Sequence, residues 1–155
     1  MHSPTLSCAL LVFAGSALWG QAKPTAQATA LQWGPAPAVF PKGAELAVVT
    51  GDPAKAAPFT IELKMPDGYR ILPHFHPTDE IVEVKEGTFL YAMGDAFDLA
   101  KTKAMKPGDK GAIPALMHHY AMAKGPTIVA VSAMGPFALT YVNAADDPRG
   151  APAKP

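Results

Sequence analysis

Short apolar or alternating segments, separated by turn residues, recur along most of this chain. The clearest is 60–65, where Ile61, Leu63 and Met65 alternate with polar neighbours, as in a strand with one buried face. By the same criteria we predict strands at 45–49, 59–65, 71–76, 81–85, 88–93, 111–114, 118–122, 127–133 and 137–142. Strands of this length and spacing indicate an all-β barrel or sandwich. No long helical pattern competes, although 98–105 could form one or two helical turns.

Both ends of the chain depart from this pattern. Residues 6–19 form an apolar run followed by small residues, which is typical of a secretory signal peptide, so we expect 1–22 to be removed and the protein to be periplasmic or secreted. The run is shorter than the roughly 20 residues that cross a bilayer, so no stable membrane span is expected. We predict a linker at 23–30, one β-barrel domain at 31–145 and a flexible tail at 146–155.

Composition narrows the classes of function. The chain has 13 basic and 13 acidic residues and a formal net charge of zero, so it lacks the basic surface that nucleic-acid binding requires. Its only cysteine, Cys8, lies in the N-terminal apolar run. The predicted domain therefore has neither a disulfide nor a thiol nucleophile.

Two histidines and a glutamate have a spacing that suits a metal site. Side chains alternate along a strand, so His74 and His76 project to the same face while Phe75 projects to the other. The turn residues 77–79 follow, after which Glu80 begins a β-rich segment and can direct its carboxylate back toward the imidazoles. These residues form half of a metal site, with two nitrogen donors and one oxygen donor.

The spacing of these residues resembles a known motif. Gly68, His74, His76, Glu80 and Gly87 match G-x5-H-x-H-x3-E-x6-G, the first signature motif of the cupin superfamily, at every position. The resemblance implies a small single-domain bacterial cupin, whose fold is a double-stranded β-helix or jelly-roll-like barrel.

A second segment resembles the second cupin motif, G-x5-P-x-G-x2-H-x3-N. Gly108, Pro114 and His119 agree with it, whereas Leu116 replaces a glycine and Ala123 replaces an asparagine. The resemblance makes His119 the fourth ligand.

His118 is the alternative to His119 as the fourth ligand. Neighbouring residues on a strand face opposite ways, so only one of the two can enter the site. Apart from His2, every histidine of the chain lies in these two motifs. Burying several imidazoles and a carboxylate without a cation would cost several kcal/mol. This cost favours a metal-binding site over a satisfied polar core.

The resemblance implies one divalent transition-metal ion per chain, which could be iron, manganese, nickel, copper or zinc, and a possible homodimer. Our first hypothesis is an exported mononuclear metal enzyme, a dioxygenase-like oxidoreductase on a small organic substrate, in which Glu80 also acts as a base. The alternative is a non-catalytic module that binds a metal or a small ligand. Candidate residues for the substrate pocket are Tyr69, Met117, Tyr120, Met134 and Tyr141.

Overall fold

The structure is a computed structural model that describes residues 30–150. The predicted signal peptide, nearly all of the predicted linker and residues 151–155 of the predicted tail lie outside this range, so those boundaries stay predictions. Within 30–150, no helix combines the length and the apolar character needed to span a membrane.

Strands dominate the described residues, and the two helical segments are single 3-10 turns at Leu99–Lys101 and Ala144–Asp146. The strands are β1 (Gly34–Pro35), β2 (Glu45–Thr50), β3 (Pro58–Met65), β4 (Arg70–Phe75), β5 (Glu80–Glu86), β6 (Phe89–Met93), β7 (Lys103–Met105), β8 (Lys110–Ile113), β9 (His119–Ala123), β10 (Thr127–Met134) and β11 (Thr140–Tyr141).

The strands form two antiparallel sheets. One sheet has the order β1-β2-β3-β10-β5-β8, and the other has the order β11-β4-β9-β6-β7. Most neighbours in these sheets are not consecutive in sequence, because the chain passes repeatedly between the sheets. This arrangement confirms the prediction of a single-domain, all-β, jelly-roll-like barrel.

The hydrophobic core lies between the sheets and follows the alternation of the sequence. Ile61, Leu63 and Met65 are at most 2% exposed, and their polar neighbours on β3 face outward. Val129 and Val131 of β10 lie opposite Leu63 and Ile61 and are also buried. Side chains of both strands therefore pack on the same inner face.

Two predicted segments differ from the structure. The only helical part of segment 98–105 is the 3-10 turn Leu99–Lys101, and the segment ends as strand β7. The Asp98 side chain caps the turn by accepting a hydrogen bond from the Ala100 N–H. The predicted strand 137–142 shortens to β11. The residues before it, 135–139, form a segment that we call the strap; Phe137 of the strap donates its N–H to Pro53 and packs against Phe40 and Phe59 instead of joining the sheet.

The turn between β5 and β6 requires the motif glycine Gly87. Its φ is 78°, and a Cβ at this position would overlap the carbonyl oxygen of Pro126. Any other residue would be strained and would also push against the backbone that leads into β10.

Candidate metal centre

The four predicted ligands lie together at one end of the barrel. His74 lies near the end of β4 and His76 follows that strand, whereas Glu80 and His119 are the first residues of β5 and β9. The antiparallel pairing of β4 with β9 places His74 directly opposite His119. All four side chains are buried, with residue exposures between 3% and 7%.

A β-bulge in β4 sets the direction of the first imidazole. Ile71 pairs with Ala121 but His74 pairs with His119, so β4 has one residue more than β9 over this interval. Ile71 and His74 therefore both face the interior, although residues three apart on a regular strand face opposite ways. Pro73, which has no N–H to donate, lies within the bulge.

Backbone carbonyls orient all three imidazoles. Each Nδ1 lies within hydrogen-bonding distance of a carbonyl oxygen, which can only accept, so each Nδ1 carries the proton and each Nε2 presents a lone pair. The acceptors for His74, His76 and His119 are Leu72, Ala138 and Met117, at 2.8, 2.8 and 2.9 Å.

The donor atoms of the cluster lie close together. One ligand nitrogen from each of His74, His76 and His119 lies within 4.8 Å of the others. Glu80 Oε2 lies 3.4 Å from His76 Nε2 and 3.5 Å from His119 Nε2, yet it is buried and has no hydrogen-bond donor among the described residues. Lone pairs thus face lone pairs, an arrangement that is unfavourable until a cation is bound. The residues fit a metal ion.

Burial also favours the neutral form of His74 and His76. It lowers the pKa of His74 well below its usual value of 6.5, and the neighbouring His119 and His76 lower it further. Burial likewise lowers the pKa of His76, with Glu80 opposing the shift. Neutral imidazole is the form that binds a metal.

A cavity of about 40 Å³ adjoins the cluster and is otherwise lined mainly by apolar residues from both sheets. That volume is enough for ordered water or a small group beside the cluster. Within the described chain, the remaining lining residue with an ionisable group is Tyr91.

His118 lies outside the cluster. Its Nδ1 donates to Asp95 at 2.6 Å, its ring stacks on Phe75 at 5.1 Å, and its side chain is 37% exposed. The structure therefore places His119 in the cluster and His118 on the outer face of the sheet. The complete four-ligand assignment stays a prediction.

The two departures from the second motif have different structural settings. Leu116 has φ of 62° and is 63% exposed, so it adopts in a turn the left-handed conformation that glycine would adopt without strain. Ala123 is fully buried, and its backbone N–H and C=O bond to Tyr69 and Gly68. Its methyl group faces the core and offers no ligand.

The predicted pocket residues were wrong for this cavity, because none of the five lines it. The hydroxyls of Tyr69, Tyr120 and Tyr141 donate to backbone carbonyls elsewhere, and Met117 and Met134 are exposed. Residues that we missed include Tyr91 and Phe137. The alternation of Phe89 and Tyr91 along β6 could have indicated the first, whereas nothing in the sequence indicates the fold of the strap.

Neither a protein-family model nor a curated protein matches this sequence. Solved structures do match. An RmlC-like cupin from Shewanella frigidimarina is 17% identical, with 59% of this chain and 76% of that chain covered and a TM-score of 0.50. The polyketide cyclase RemF from Streptomyces resistomycificus is 22% identical, with 68% and 75% covered and a TM-score of 0.55.

Salicylate 1,2-dioxygenase from Pseudoaminobacter salicylatoxidans, solved with gentisate, is 14% identical, with 67% of this chain and 30% of that chain covered and a TM-score of 0.55. At these sequence identities, the structural similarity is evidence for the fold only. Together with the strand order, it shows that this chain has the fold of the cupin superfamily, as the first sequence motif predicted.

Proposed function

We propose that the protein is a mononuclear metal-dependent enzyme, a dioxygenase-like oxidoreductase that acts on a small organic substrate. One observation carries the proposal. Nitrogens of His74, His76 and His119 lie close together in a buried site, and Glu80 Oε2 lies 3.4 and 3.5 Å from the last two with no donor among the described residues. His74, His76, His119 and Glu80 would hold one divalent ion. Imidazole and carboxylate donors suit iron, manganese, nickel, copper and zinc.

When bound, such an ion supplies Lewis-acid chemistry and, where the metal is redox-active, electron transfer. The chain contributes orientation, because the three carbonyl bonds hold the imidazoles in place. The apolar walls of the cavity exclude bulk water. In this proposal Glu80 also accepts a proton from an acidic C–H or O–H of a substrate that lies within hydrogen-bond reach.

The comparisons support this proposal at the level of the fold only. The similar structures include a protein named as a dioxygenase and another named as a polyketide cyclase. One fold thus carries different chemistries, and the choice among them depends on the site. The convergence of the four donors favours metal-assisted chemistry.

One observation favours a second candidate, a module that binds a metal or small ligand without turnover. Apart from the four predicted ligands, the described residues place only Tyr91 as an ionisable group on the cavity. An enzyme with a general base separate from its ligands would carry another buried titratable side chain.

Elemental analysis of the full-length chain, purified without chelators or affinity metals, tests the proposal. We expect about one transition-metal ion per chain, and none in a His74→Ala, His76→Ala double variant. Oxygen uptake with enolisable and catecholic compounds then separates the two candidates. Metal without oxygen uptake would favour the binding module. Absence of metal after reconstitution would contradict the metal-dependent enzyme and leave a module that binds a small ligand.

A further inference from the structure

A surface groove adjoins the metal-binding end of the barrel. It has a volume of about 300 Å³, in the range of small-molecule sites, and its lining consists of Tyr91, Ala92, Met93, Lys101 and Lys103. Tyr91 also lines the interior cavity, so one side chain contacts both spaces. The groove and the cavity are therefore neighbours on either side of Tyr91.

Strand register shows how close this groove lies to the predicted ligands. Met93 of β6 is the direct partner of His119 on β9, and Tyr91 is the partner of Ala121. On its other side, Tyr91 pairs with Lys103 of β7. Directly opposed residues project to the same face, and adjacent strands lie about 4.8 Å apart, so the backbone of Lys103 lies about 10 Å from β9.

The charges of the groove are positive. Among residues 30–150, Lys103 forms no ion pair, and Lys101 pairs only with Asp98, at 3.6 Å. The two side chains of that pair are 74% and 41% exposed, so water screens it and the Lys101 ammonium stays able to bind an anion. The other nearby acid, Asp95, is bonded to His118.

The apolar part of the groove lies between the lysines and the predicted ligands. Met93 is 41% exposed although it is the partner of a buried ligand, and Tyr91 is partly buried between cavity and groove. A flat or aliphatic group could contact these two side chains while one end points toward the imidazoles and the other toward the ammonium groups.

We propose that the groove binds the carboxylate of the substrate, with Lys101 and Lys103 as its specificity-determining residues. The substrate class is then a small organic acid that carries a metal-chelating pair of oxygens at the end away from its carboxylate. This inference rests on the proposed function, because the chelating end requires a metal held by the imidazole cluster.

The test compares two ligands that share a chelating diol and differ by one carboxylate, catechol and 3,4-dihydroxybenzoate. Their binding to the full-length protein is measured by calorimetry after loading with zinc, which has no redox chemistry to consume them. We expect the acid to bind roughly tenfold more tightly at low salt, as one charge-assisted contact allows. A Lys101→Gln, Lys103→Gln variant should lose this preference and keep its catechol affinity.

The matched control is the double variant Lys85→Gln, Lys110→Gln. It also removes two positive charges, but from lysines that bond to Glu83 on the other sheet. It should keep the preference. Equal affinities in the unaltered protein, an unchanged ratio in the groove variant or the same loss in the control would overturn the groove assignment alone. Failure of the unaltered protein to retain zinc would overturn the proposed function and the groove assignment with it.

Discussion

At the scale of the residue, the two adjacent histidines have opposite roles in this structure. His119 lies in the buried cluster, whereas His118 stacks on Phe75 and bonds to Asp95 outside it. His119→Ala should abolish metal retention, because it removes a donor and leaves the remaining buried groups underligated. His118→Ala should retain nearly full metal content.

Metal per chain after gel filtration measures both variants, with circular dichroism to confirm that each is folded. The reverse outcome, with metal lost in His118→Ala and kept in His119→Ala, would contradict the register of β9 described here.

Leu116 is the residue at which backbone strain is concentrated. Its φ of 62° belongs to the left-handed region, and its side chain is largely exposed, so little packing offsets the strain. Leu116→Gly should raise the free energy of unfolding by about 1 kcal/mol, since glycine adopts this conformation without a Cβ clash.

Denaturant unfolding of the metal-free protein measures that change. Ala115→Gly is the control, because its φ is not positive and the added chain entropy should lower stability instead. A loss of stability in Leu116→Gly would show that the leucine side chain makes contacts that outweigh the strain.

The residues that lie together in the buried cluster could be predicted from sequence, whereas the residues that line the cavity could not. His74, His76 and Glu80 follow a spacing that alternation and a short turn explain locally. Tyr91 and Phe137 line the cavity because of sheet pairing and the path of the strap, which depend on residues far apart in the chain. Local patterns carry no such information.

At the scale of the element, two turns beside the cluster are tied together. Asp79 Oδ1 accepts from the Ala115 N–H, and the His76 carbonyl accepts from the Leu116 N–H, both at 2.8 Å. The second turn continues to Met117, whose carbonyl orients His119. We therefore expect Asp79 to position His119 through this turn.

Asp79→Ala should weaken metal affinity by roughly tenfold or more, the effect typical of groups that orient ligands. Asp79→Asn should recover part of it, since an amide oxygen still accepts the Ala115 N–H. Competition with a chelator gives the affinities. Asp109→Ala is the control, because Asp109 accepts from the Lys106 N–H in a distant turn. Equal losses in both alanine variants would indicate a general effect on stability.

Strands were predicted well where alternation is regular and poorly where it is interrupted. The bounds of β3 and β10 follow their apolar periodicity, but β7 has only three residues and was predicted as part of a helical turn. Alternation with a two-residue period cannot predict the bulge in β4, and Pro73 is the only local feature of the sequence that indicates it. Strict alternation from Ile71 would have predicted that His74 faces outward.

At the scale of the whole molecule, the neutral imidazoles make stability depend on pH. The folded protein keeps His74 and His76 unprotonated because burial lowers the pKa of each, whereas the unfolded chain takes up protons near the usual pKa of 6.5. Stability of the metal-free protein should therefore be highest above about pH 6.5 and fall as the pH drops below that value.

Urea midpoints between pH 8 and pH 5 measure this dependence. His74→Gln should reduce the slope, because it removes the group with the larger pKa shift. A midpoint that rises on acidification would contradict the assignment of neutral buried imidazoles.

The strap should affect the rate of metal exchange rather than the equilibrium affinity for the metal. Ala138 of the strap holds the His76 ring, and Phe137 lies against that ring at 5.3 Å while packing on Phe40 and Phe59. We therefore expect an ion to be released only when this packed segment loosens its contact with the His76 ring, so that exchange is slow compared with binding during folding. The identity of the metal in the purified protein would then depend on which metal ions were available where and when the chain folded.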